Sequence, residues 1–311
     1  MFTEHTGVAR NKETELYFAA SGNSSDPPVL FINGLGSQLI NFLPGWVEQF
    51  CAAGFYVVRM DNRDVGLSSK TSGDAPTMEA LVDSWSGDRS IADINVPYDL
   101  SDMAMDCVAV MDELGVEQTH VWGMSMGGMI AQTLAINCPD RLKSMTSVMS
   151  TTGEPGVGRS TSESAAQLVT AGDSREDVVN SAVAARKLHG GSLYEESWAR
   201  SLEEAAYDRC YHPQGKIWQL LAVMASGSRA EQLPMITLPT MIGHGRLDPL
   251  VQLDGGIATA GLIPGAELVI HDEMGHDTPE PLWGRYLADF QRLVDQTCLL
   301  YTSPSPRDRG C

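Results

Sequence analysis

The stretch Gly123-Met-Ser-Met-Gly-Gly128 constrains the fold more than any other part of this sequence. Thr119-His-Val-Trp122 before it reads as a buried strand, and Met129 to Ile136 after it as a helix stopped near Pro139. A serine at that junction sits on a sharp turn that lifts its hydroxyl above the sheet. Positions two before and two after approach the turn closely. Gly123 and Gly127 supply the room there, and Gly128 allows close helix–strand packing. The new helix aims its first N–H groups at the same place, so the Met126 amide is a candidate oxyanion donor.

The rest of the chain supplies a parallel sheet to carry such a turn. Pro28-Val-Leu-Phe-Ile-Asn33 and Phe55-Tyr-Val-Val-Arg-Met60 are short apolar runs typical of buried strands, and Leu142 to Met149 is another. Helical spacing separates them: Leu39, Phe42, Trp46 and Phe50, closed by Gly54, then Met103, Cys107, Val110, Met111 and Leu114, closed by Gly115. Glu15 to Ala20 has mild strand character. Gly153 to Leu233 then reads as helices without strands, before strand patterns resume at Thr240-Met-Ile-Gly243 and Glu267-Leu-Val-Ile270. Leu282, Tyr286, Leu287, Phe290 and Leu293 mark a last helix. The expectation is an α/β fold with helices on both faces of a mostly parallel sheet. Residues 1–152 and 234–297 form its core, and 153–233 a helical cap over the carboxyl ends of the strands. Cys298-Leu-Leu-Tyr-Thr-Ser-Pro-Ser-Pro-Arg-Asp308 breaks the preceding pattern and reads as translated sequencing adapter, so 298–311 is set aside as foreign.

Two late loops offer partners for the serine. Strand 240–243 runs into His244-Gly-Arg-Leu-Asp248-Pro249, which puts an acid just past a strand end. Asp254, its nearest rival, reads as the cap of the following helix. Strand 267–270 runs into His271-Asp-Glu-Met-Gly275-His276, and Gly275 gives His276 freedom to reach Ser125. The chain order Ser125, Asp248, His276 suits a nucleophile, an orienting acid and a general base. Among the other histidines, His244 reads as structural and His271 as strand, while His189 and His212 lie in the cap within reach of substrate. Asn33-Gly34-Leu35-Gly36 follows the first strong strand. The Leu35 N–H is the candidate second oxyanion donor, with Asn33, Gly34 and Gly36 supporting it. His244 and Asp248 bracket Gly245 and precede Pro249, so they share no helix face, and no metal site is expected. The glycine turns lack a phosphate-binding lysine, and no cofactor is expected.

The chain resembles the α/β-hydrolase superfamily over nearly all of residues 8 to 297, and within it the aclacinomycin methylesterase-like hydrolases. The stretches that carry this are Phe31-Ile-Asn-Gly-Leu-Gly36, Asp61-Asn-Arg-Asp-Val-Gly-Leu-Ser68, Trp122 to Gln132, Ser150-Thr-Thr-Gly153, Tyr211-His-Pro-Gln-Gly215, Gly245-Arg-Leu-Asp-Pro-Leu-Val251 and Gly275-His-Asp277. The resemblance implies carboxylic-ester hydrolysis through an acyl-enzyme, with methyl esters among the candidates. It also implies that Asp61 and Arg63 brace the sheet near the site. Peroxide-dependent perhydrolase or haloperoxidase chemistry on the same residues stays open, as does a non-catalytic binding protein.

Bulk properties narrow the partners. With 21 Lys+Arg against 40 Asp+Glu, the net charge is −19. Such a surface repels nucleic-acid phosphates and anionic lipid heads, and a small-molecule ester is the expected partner. Met1 to Lys12 shows no apolar signal region, no run is long enough to span a membrane, and the six cysteines form no CxxC pair. A cytoplasmic location with reduced thiols is the expectation. The many methionines read as core filling, with Met126 alone placed to line the acyl pocket.

Overall fold

The computed structural model describes residues 3–77, 94–167 and 172–302. In chain order the strands and helices are β1 (Glu4–Asn11), β2 (Thr14–Ser21), β3 (Pro28–Ile32), α1 (Pro44–Ala52), β4 (Tyr56–Met60), α2 (Leu100–Glu113), β5 (Thr119–Met124), α3 (Met126–Asn137) and β6 (Leu142–Val148). Four helices follow without a strand among the described residues: α4 (Ser162–Gln167), α5 (Arg175–His189), α6 (Glu196–Arg209) and α7 (Pro213–Ser226). The chain ends with β7 (Thr240–Gly245), α8 (Leu253–Leu262), β8 (Glu267–His271) and α9 (Trp283–Thr302). Helix α9 thus continues into the segment set aside as foreign, whose residues 303–311 lie outside the described ones.

One eight-stranded sheet runs in the order β1-β2-β4-β3-β5-β6-β7-β8. Strands β3 to β8 pair in parallel, and β1 and β2 are added antiparallel at one edge. β1 carried no strand signal: most of its residues are exposed, so it lacks the apolar alternation that reveals a half-buried strand.

The period-2 geometry of the central strands explains why both faces need helices. From β3, Leu30 and Ile32 enter one apolar layer, and Val29 and Phe31 the other. The first layer holds Met103, Cys107, Val110 and Met111 of α2 with Ile130 and Leu134 of α3. The second is aromatic: Trp46 and Phe50 of α1 meet Phe31, Trp122, Tyr286 and Phe290. Most of the methionines fill these layers, but Met105 and Met235 are exposed.

The charged stretch after β4 is held by two separate pairs. Arg63 grips Asp106 of α2 through two bonds of 2.6 Å each, and Asn11 adds a third to that carboxylate at 2.8 Å. Asp61 pairs instead with Arg209 of α6, at 2.7 Å. Asp106 is 1% exposed. Removing its carboxylate would leave the buried guanidinium with only a 3.4 Å hydrogen bond, to the Asp102 carbonyl. Asp106→Ala is expected to lower unfolding free energy by about 3–5 kcal/mol in urea denaturation, with much of that loss recovered in Arg63→Met/Asp106→Leu.

Three strands carry buried histidines: His120 in β5, His244 in β7 and His271 in β8. Burial pushes all three down, His120 to about 4. The unfolded chain therefore takes up protons that the folded chain refuses. These groups contribute stability that is complete above about pH 6.5 and lost as pH falls toward 4. Urea midpoints are expected to drop between about pH 7.5 and about pH 4.5, and to drop less in His120→Asn.

Candidate active site

Ser125 occupies the tight junction between β5 and α3, at φ 54° and ψ −120°. This is strained backbone for an L residue, and its surroundings hold it there. A Cβ on Gly123 would lie 2.1 Å from the Gly127 carbonyl oxygen, and one on Gly127 would lie 2.1 Å from that of Ile32. Either would push α3 away from the sheet. The Ser125 N–H donates to the Val148 carbonyl at 2.9 Å, fastening the turn to β6. Helix α3 begins at Met126, directly after the serine.

The structure brings Ser125, His276 and Asp248 into one line. His276 Nε2 lies 2.9 Å from Ser125 Oγ, and His276 Nδ1 lies 2.7 Å from Asp248 Oδ2. With the carboxylate accepting from Nδ1–H, Nε2 is left as the acceptor of the hydrogen bond from the Ser125 hydroxyl. Asp248 is enclosed, and its other oxygen accepts the N–H groups of Leu250 and Val251 at 2.9 Å each. These bonds fix the carboxylate in the plane that orients the imidazole.

His244 stands behind this line, its Nε2 3.7 Å from Asp248 Oδ2. It donates from Nε2 to the Val251 carbonyl at 2.8 Å, and burial pushes it down against the pull of that bond and of Asp248. Asp254 is neither in the line nor at the N-cap of α8. Gln252 holds the cap position, and Asp254 Oδ1 accepts the Gly158 N–H at 3.2 Å from the first turn. The helix starts two residues earlier than the sequence suggests, because an extended Gln252 leads straight into it.

Gly275 does something other than lend freedom. A Cβ there would lie 2.0 Å from the His189 carbonyl oxygen. That carbonyl, at the end of α5, accepts the His276 N–H at 2.6 Å. The glycine permits a close backbone approach that ties the histidine loop to the helical insertion. His189 itself is buried, with Nε2 unpartnered, and is pushed down to about 4 by burial and by the nearby His276.

On the other side of Ser125 lies the loop after β3. A Cβ on Gly34 would sit 3.1 Å from that of Ser125. Asn33 donates from Nδ2 to the Gln38 carbonyl at 3.1 Å, and its own carbonyl accepts from Asn62 at 3.1 Å. Neither the Leu35 N–H nor the Met126 N–H meets a protein acceptor among the described residues. The Met126 side chain is buried in the α2/α3 apolar layer.

Sequence reasoning missed several residues that hold this loop. Gln219 of α7, fully buried, accepts the Gly36 N–H at 2.8 Å and donates to the Arg63 carbonyl at 2.7 Å. Gln38 donates to the Ala206 and Cys210 carbonyls at 2.7 and 3.0 Å, and accepts from Arg209 at 2.6 Å. Both glutamines bridge segments far apart in the chain, and nothing in their local context marks them. His212 packs against Gly215 in the insertion.

Comparison with known proteins agrees with this architecture. The family model for the alpha/beta hydrolase fold matches residues 27–280. The chain is 27% identical over 303 residues to rhodomycin D methylesterase from Streptomyces peucetius, covering 89% of this chain and 95% of that protein. It is 24% identical over 249 residues to 3-oxoadipate enol-lactonase 2 from Acinetobacter baylyi, covering 79% and 80%. Among solved structures, an esterase from Exiguobacterium antarcticum matches with a TM-score of 0.73 at 18% identity, covering 94% of this chain and 100% of that one. The enol-lactonase from Burkholderia xenovorans matches with a TM-score of 0.68 at 20% identity, covering 93% and 98%. By sequence and by fold, this chain belongs to the α/β-hydrolase family.

Proposed function

We propose that this chain hydrolyses carboxylic esters of small molecules through an acyl-enzyme on Ser125, with His276 as general base and acid and Asp248 as its orienting partner. The observation that carries the reading is the unbroken line of hydrogen bonds from Ser125 Oγ through the His276 ring to a buried carboxylate. The relatives named as a methylesterase and an enol-lactonase support ester cleavage, and the first supports methyl esters in particular.

In this mechanism Ser125 Oγ attacks the ester carbonyl carbon while its proton passes to His276 Nε2. The carbonyl oxygen becomes an oxyanion and accepts from the Leu35 and Met126 amides, with Asn33, Gly34 and Gly36 shaping the first of these. His276 then gives its proton to the leaving alcohol oxygen as the carbon–oxygen bond breaks. Water, deprotonated by the same imidazole, attacks the acyl carbon, and His276 returns that proton to Ser125 Oγ as the acyl–oxygen bond breaks, releasing the acid and the free serine. The Asp248 carboxylate favours the charged imidazolium at each stage.

The same reading makes residues 153–233 a cap over the site, set between the core segments 1–152 and 234–297, and keeps 298–311 as foreign sequence. A cytoplasmic site of action accompanies it, supported by free thiols at Cys51, Cys107, Cys138 and Cys210. Among the described residues, no helix is long and apolar enough to cross a membrane.

Ser125→Ala is expected to lower kcat on p-nitrophenyl esters by about a millionfold and to abolish labelling by a fluorophosphonate. A variant that keeps the parent rate would remove Ser125 as nucleophile.

A further inference from the structure

Helices α5, α6 and α7 bound a chamber of about 280 Å³ that reaches the oxyanion loop at Gly36. Its wall is mostly apolar, with Val179, Ala182, Ala206, Tyr207, Ile217 and Leu220 among the lining residues. Two charged side chains also face it, Glu203 and Lys216. Ser125 and His276 are not part of the wall, so the chamber adjoins the nucleophile across the oxyanion loop rather than containing it.

The two charges are in different situations. Glu203 is engaged by Arg186. Lys216 has no hydrogen bond or ion pair among the described residues. Its stem lies against the loop: a Cβ on Gly36 would lie 3.3 Å from Lys216 Cγ and 3.4 Å from Cδ. Gly34, two residues earlier, makes the equivalent approach to Ser125. The lysine stem and the nucleophile thus touch the same short loop. His189 links them again, since its ring lies within electrostatic reach of Lys216, His276 and Asp248. Burial pushes the Lys216 ammonium down, and Glu203 pulls it back up. An ammonium set in a mostly apolar wall without a direct partner gains a charge-assisted bond when an anion binds beside it.

We propose that Lys216 is a specificity residue, pairing with a carboxylate carried by the substrate ester while the apolar chamber takes the adjoining carbon skeleton. This rests on the hydrolase reading above. The carboxylate can belong to the acyl portion or to the alcohol portion, and the two are separable. Monomethyl esters of dicarboxylic acids place the charge on the acyl side. Acyloxyacetates place it on the alcohol side. The matching neutral diesters are the reference for each.

In the parent protein, kcat/KM for one charged series is expected to exceed that of its neutral reference by about tenfold or more, mainly through KM. Lys216→Met keeps the stem that packs on Gly36 and removes the charge. It is expected to flatten that ratio, and Lys216→Arg to restore most of it. A flat ratio in the parent protein, or a ratio unchanged in Lys216→Met, overturns the assignment. Fluorophosphonate labelling of Ser125 in the same preparations separates the two failures. Labelling with a flat ratio removes Lys216 alone, whereas absence of both labelling and turnover removes the hydrolase reading and this inference with it.

Discussion

The close approach of helix α3 to strand β3 is the constraint on which the site depends. It leaves no space for a side chain at residue 127, where a Cβ would meet the Ile32 carbonyl oxygen at 2.1 Å. With the helix that near, Ser125 can leave β5 and enter α3 within a single strained residue. The same approach sets the loop after β3 beside the serine. A larger residue would move the helix out and separate Ser125 from the loop. The strain is sustained by the apolar layers on both sheet faces, which hold strand and helix in place.

Much of this was legible before any coordinates. The glycines around Ser125 are a local signal, because steric exclusion acts between residues two apart. The alternation of apolar runs and helical spacing is also local, and it gave the sheet and the strand ends. Asp248 and His276 could be placed because each follows a strand closely, so the fold delivers them to one edge.

What escaped was long-range or subtle. The partner of Asp61 is Arg209 of the insertion, and Arg63 turns to Asp106. Charge pairing between distant segments leaves no periodic trace, so sequence could say that these residues brace something without saying what. Gln219 and Gln38 are invisible for the same reason. β1 escaped because an exposed edge strand has no apolar stripe. Gly275 was seen, but its purpose was misjudged: clearance for a neighbouring carbonyl and flexibility look identical in a string of letters.

Those long-range bonds change how the helical insertion should be pictured. Arg209 reaches Asp61, Gln219 reaches the Gly36 amide, and the last carbonyl of α5 receives the His276 N–H. Buried polar bonds of this kind are costly to leave unmade. The insertion is therefore continuous with the scaffold that holds both the loop beside the serine and the imidazole opposite it. A hinged flap would have to break a backbone bond of the histidine loop each time it swung. Grafting an insertion from a relative onto this core would consequently be an operation on the core itself: the donor segment must end its corresponding helix with a carbonyl at the same height, or the line of Ser125, His276 and Asp248 loses its alignment however well the new walls fit their guest.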